Sequence, residues 1–141
     1  MVFGISFSFA SFDWIMSLDA HWFSTIFGIY CFSGMFTACL ALITILAIVL
    51  KHLGPLKDVV TTDHIADLGK LLLSFSTFWA YIWLSQYLLI WYANIPEETA
   101  YYVKRHGGAW GSISAINVVL NWVVPFFVLL PKKTKKSEKV M

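Results

Sequence analysis

Charge is the scarcest commodity in this sequence. Asp, Glu, Lys and Arg together make up 13% of its 141 residues, against a hydrophobic share of 59%. A soluble domain usually spends about a quarter of its residues on charge, so a water-facing globule is excluded as the expected form. Cysteine is nearly absent. Cys31 and Cys39 are eight residues apart on one predicted helix, about 12 Å at 1.5 Å per residue, too far to bridge each other. No CxxC pair, Gly-rich phosphate loop or Ser/His/Asp set occurs, and the four histidines, His21, His52, His64 and His106, offer no mid-span pair for a membrane haem. The residues specify no metal site. The basic tail, Lys132-Lys133-Thr134-Lys135-Lys136, has no aromatic platform beside it and reads as a topology signal, not a nucleic-acid site.

What is present is long apolar runs. Residues 20–50, 71–96 and 106–131 contain no Asp, Glu, Lys or Arg. Each exceeds the roughly 20 residues that a helix needs to cross a bilayer core. The expected fold is therefore an all-α membrane protein with spans at about 27–50, 71–93 and 109–130. A partial membrane helix over 1–18 precedes them, residues 1–131 form one helical unit belonging to a larger bundle, and 132–141 is a basic tail. Residues 1–18 are apolar but lack the leading positive charge of a signal peptide.

Local signals refine the plan. Gly34, Thr37, Ala38, Ala41 and Thr44 place little bulk on one face of the first span, which suits close helix packing. The chain should turn at Gly54-Pro55 and restart a helix near Thr62-Asp63. Pro96, Glu97-Glu98 and Lys104-Arg105-His106 before Gly107 suit the start, positive end and negative end of a short surface helix. Pro125 cannot donate a main-chain hydrogen bond, so it should free the Asn121 carbonyl and kink the third span. Lys51, Lys57, Lys70 and the tail lysines outweigh Lys104 and Arg105, which predicts a cytoplasmic C-terminus.

Polar residues inside the apolar runs are the candidates for function. Ser74, Thr77, Tyr81, Ser85 and Tyr92 share a face of the second span, and Trp110, Ser114, Asn117, Asn121 and Pro125 share one of the third. Two such stripes facing each other would carry protons through hydroxyls, amides and water, or would serve as hydrogen bonds between helices. Asp13, among Phe9, Phe12, Trp14 and Ile15, is costly to keep ionised and fits a proton relay or a paired group. The proton-pathway candidates are Asp13, Tyr81, Ser85, Tyr92, Asn117 and Asn121. Gln86 beside Trp79, with His21 near the interface, makes a candidate quinone pocket, although Gln86 also suits a bond to a neighbouring helix. His64 and Asp67, spaced i, i+3, suit a salt link or helix cap better than a metal site.

The strings SFDWIMSLDAHWFSTIFGIY (11–30) and DHIADLGKLLLSFSTFWAYIWLSQYLLIWYANIPEET (63–99) resemble the second polytopic, NrfD/polysulfide-reductase-like subunit of alternative complex III, a bacterial quinol:electron-acceptor oxidoreductase. The likeness extends over most of residues 9–125, with Ala20 where the family pattern expects proline. Family members are several times longer, so the chain corresponds to a C-terminal portion. The resemblance implies a non-redox subunit, not catalytic alone, in the bacterial plasma membrane. Its implied partners are a sister polytopic subunit, a multihaem cytochrome c subunit and an iron–sulfur subunit, which carry haem c and iron–sulfur clusters, with quinone or quinol bound in the complex. It also implies support of quinol oxidation and proton conduction. A purely structural membrane scaffold and a fragment of an unrelated transporter are the alternatives.

Overall fold

The computed structural model describes residues 2–131 of the chain; the basic tail expected at 132–141 lies outside the described residues. Six α-helices account for nearly all of it: α1 (Val2–Trp14), α2 (Phe27–Leu53), α3 (Thr62–Ala93), α4 (Pro96–His106), α5 (Ala109–Val118) and α6 (Val124–Leu129). A 3-10 turn, Met16–Leu18, follows α1, and a π-helical turn, Val119–Val123, joins α5 to α6. No strand occurs among the described residues, so the all-helical expectation holds.

Among the described residues two helices are long and apolar enough to cross a membrane: Phe27–Leu53 and the continuous Ala109–Leu129, with mean hydropathies of 2.4 and 1.9. The chain thus has two such helices by length and composition, not the three expected. The second expected span lies within α3, 32 residues long, whose Trp, Tyr and Ser residues and Gln86 dilute its apolar character. The apolar helical stretch Val2–Leu18 is too short to span.

The packing follows from small residues. α2 and α3 share the most extensive interface, and α1 lies along α2. A Cβ added at Gly28 would come within 2.9 Å of the Ser8 Cβ, so glycine is what lets α1 approach α2. At Gly34 an added Cβ would stand 3.3 Å from the Trp79 indole nitrogen, which places that ring in the space glycine leaves. Thr37 and Thr44 are buried on the same side of α2, while Ala38 faces outward.

Helix ends behave as their sequences direct. Gly54 takes a φ of 108°, open to glycine, and ends α2. Thr61 caps α3: its hydroxyl accepts from the His64 amide at 3.4 Å, and His64 Nδ1 accepts from the Thr61 amide at 3.3 Å. His64 is therefore a capping residue, and Asp67 pairs instead with Lys70 at 2.7 Å. Asn94, at φ 49°, closes α3 with its amide on the Ile90 carbonyl. α4 runs from Pro96 to His106, with its acidic and basic residues at the ends anticipated from the dipole.

Pro125 opens the helix around it. The Val124 amide reaches back five residues to Val119, widening this turn to π geometry. The Ser76 hydroxyl of α3 donates to the Asn121 carbonyl. The carbonyl expected to be left free has thus found a partner on another helix.

Candidate functional site

Where α4 folds over the ends of the long helices it encloses a cavity of about 320 Å³. Tyr30 from α2, Gln86 and Tyr87 from α3, Tyr102 and Arg105 from α4, and Asn117 from α5 all reach it. α4 is held in place by a three-layer stack. The Tyr101 ring lies on Trp22 at 3.9 Å between centroids and 12° between planes, and the Arg105 guanidinium carbon is 3.7 Å from the Tyr101 centroid. A parallel indole fills one face of the ring, so the guanidinium takes the other. Trp22 is itself buried, edge-on to Phe27 at 5.3 Å.

The tyrosines beside this stack pack edge to face. Tyr102 stands 5.3 Å from both Tyr87 and Tyr101 by ring centroid. Burial raises the Tyr102 phenol well above its ordinary pKa, with Tyr30 and Tyr87 adding to the effect, so it is a neutral hydrogen-bonding group. Burial lowers the Arg105 pKa, against the opposing influence of Tyr30 and Asp19, but a guanidinium starts so high that it keeps its charge. No carboxylate lies within ion-pair distance of Arg105 among the described residues.

Deeper in the cavity the polar groups are amides. Gln86 is only 4% exposed and makes no hydrogen bond among the described residues. Asn121 Nδ2 donates to the Asn117 side-chain oxygen at 2.6 Å and to its main-chain oxygen at 2.9 Å. With its oxygen occupied, Asn117 offers its NH₂, and the Tyr30 hydroxyl is the neighbour it meets there. Below this pair Ser76, fully buried, closes the path to the Asn121 carbonyl.

Of the residues singled out by sequence, Gln86, Asn117 and Asn121 come together here. Trp79 is buried but packs toward Gly34 on α2, 5.9 Å from Tyr30 by ring centroid. His21 is exposed in the loop after α1, and Asp13 is exposed on the last turn of α1, where its main-chain oxygen accepts from the Ser17 hydroxyl. Tyr81 and Tyr92 are exposed, and with Ser85 they line a separate open groove beside Ile26. The two polar stripes do not face each other. The buried side of α3 carries Ser76, Trp79, Gln86 and Ile90, roughly 160° around the helix from the centre of the stripe that Thr77 belongs to. The hydroxyls of Ser74 and Thr77 instead donate to carbonyls of their own helix, at 2.8 and 2.9 Å.

Sequence reasoning passed over Tyr30, Ser76, Tyr102 and Arg105. The Tyr101, Tyr102, Arg105 spacing carried a usable signal, because residues four apart on a helix stack. Ser76 carried none, since only the third span's position shows what it bonds.

No protein-family model matches the sequence, and no curated protein matches it at a significant level.

Proposed function

We propose that the chain is a non-redox integral membrane subunit of a bacterial respiratory quinol:electron-acceptor oxidoreductase of the alternative complex III type, supporting quinol oxidation and proton movement. The observation that carries this reading is a polar set, Gln86 and Ser76 buried and Asn117 and Asn121 half-buried, placed between apolar helices and continuous with the cavity under α4. Polar side chains at that depth are expensive unless they are bonded or serve a path. The likeness of residues 11–30 and 63–99 to the NrfD-like subunit supplies the assignment to that complex.

In this reading α3 is the third span. It packs along both helices that can cross a membrane, and its residues 71–93 carry no charge. Three crossings put the 54–61 turn and the lysine tail on the cytoplasmic side of the plasma membrane, and α4 on the outer face. The quinone trio supports a division of labour. Gln86, Trp79 and His21 point to different places, which favours a quinone site in the sister polytopic subunit, with haem c and iron–sulfur clusters in the cytochrome and iron–sulfur partners. Asp13 is the proton donor or acceptor at the outer end of the path, and the exposed Tyr81, Ser85 and Tyr92 contribute only where a partner covers their groove.

The scaffold reading has one observation in its favour. Thr37, Thr44, Ser74 and Thr77 all bond carbonyls of their own helices, so they form no hydroxyl chain.

The test is purification of the tagged chain from its native membrane. Co-purifying haem c and iron–sulfur subunits in fixed ratio are expected, and a chain recovered without them refutes the assignment. Within the purified complex, Asn117→Leu should lower proton release per quinol oxidised at normal haem content. Unchanged proton release with poor assembly would favour the scaffold.

A further inference from the structure

The corner where α4 meets α5 has a composition that the proton path does not explain. The cavity wall presents Arg105, His106, Tyr102, Gln86 and Asn117 but no Asp or Glu. Arg105 is held flat on Tyr101 and has no ion pair among the described residues; Asp19, its electrostatic neighbour, lies beyond bonding distance. Gln86, nine-tenths buried and without a hydrogen-bond partner among the described residues, lines the same space. A guanidinium and neutral donors with no competing carboxylate among the described residues form a receptor for an anion rich in acceptors, and a tetrahedral phosphate matches the guanidinium fork.

The surroundings choose the carrier of that phosphate. α5 opens a helix apolar enough to cross a membrane, and Trp83, Trp110 and Ile113 make up the other walls of the cavity. Trp and Tyr gather at the headgroup level of a bilayer, where an acyl chain can leave along the apolar walls. We propose that this corner binds the phosphate of an anionic membrane lipid, with Arg105 as its central contact.

The experiment uses the purified full-length chain in neutral detergent, with thermal unfolding followed during titration with phosphatidylglycerol, phosphatidylcholine or inorganic phosphate. Phosphatidylglycerol should stabilise the protein at concentrations about tenfold or more below those needed for phosphatidylcholine. Arg105→Gln should remove that preference, Arg105→Lys should keep part of it, and Lys57→Gln, which deletes a distant exposed charge, should leave it intact. If Arg105→Gln does not yield folded protein, Asn117→Leu and Arg105→Lys still weaken the preference if the site is real. Equal stabilisation by the two lipids, or a preference unchanged in the Arg105 variants, overturns the proposal. Inorganic phosphate acting as strongly as phosphatidylglycerol overturns the lipid as its source.

Discussion

The Ser76 hydroxyl donates to the main-chain carbonyl of Asn121, 45 residues further along the chain. Pro125 has no N–H to offer that carbonyl, so a side chain from α3 does what the helix cannot. Ser76→Ala should leave a half-buried carbonyl without its donor and cost about 1–3 kcal/mol. Pro125→Ala restores an amide, so adding it to Ser76→Ala should recover part of the loss. A double-mutant cycle of unfolding free energies in one detergent measures the coupling, and strictly additive values would show that the two sites are independent.

Close approach of α1 to α2 depends on Gly28. Gly28→Ala puts a methyl 2.9 Å from the Ser8 Cβ and 3.2 Å from its Cα. One of those contacts is main chain, so the helices must separate, at about 1–3 kcal/mol. Gly34→Ala meets only the Trp79 side chain at 3.3 Å and should cost less. Denaturant midpoints of the two variants rank them.

Tyr101 is the middle layer of the Trp22–Tyr101–Arg105 stack. Tyr101→Leu removes an aromatic pair worth about 0.5–1.5 kcal/mol beyond buried area and a cation–π contact worth about 0.5–1 kcal/mol. The local consequence should be loosening of α4. Hydrogen exchange at the amides of residues 98–106 should quicken while those of α2 stay protected; a uniform increase would place the effect in global stability instead.

Asp67 and Lys70 form an exposed ion pair at the start of α3. The hydrogen bond from Lys70, then its charge, lowers the Asp67 pKa, and the reciprocal hydrogen bond and charge raise that of Lys70. A depressed carboxyl contributes above its unfolded pKa of about 3.9 and loses that contribution as pH falls through the folded value. A raised ammonium contributes below about 10.4 and loses it as pH rises through the folded value. The pair therefore acts between those limits, weakly because both groups face solvent. A carbon-detected titration should find the Asp67 carboxyl pKa higher in Lys70→Met; an unchanged value would show that the pair is not formed in solution.

Much of this architecture was legible residue by residue. Gly54, Pro96 and Gly107 act within a turn of themselves, and the helix limits they imply agree with those observed to within a few residues, whereas the cap of α3 is Thr61, one residue before the Thr62-Asp63 expected. The site was legible only in part. Asn117 and Asn121 share a helix face at any rotation of that helix, so their pairing could be anticipated. The hydroxyl stripe of α3 was misleading because Ser and Thr on a helix can satisfy themselves on the preceding turn, and a stripe so satisfied need not be buried.

The sequence by itself determined that this chain is helical, that uncharged runs occupy more than half of it, and that Pro125 would leave the Asn121 carbonyl without its usual donor. Those are properties of composition, period and a missing N–H, and each is local. Which face of α3 turns inward, that Ser76 answers Asn121, and that Trp22 and Arg105 clamp Tyr101 from two sides were decided only by the tertiary structure. The reason is physical: apolar residues surround α3 on every side, so its hydrophobic pattern fixes no rotation, and the packing of Trp79 against Gly34 is what orients it.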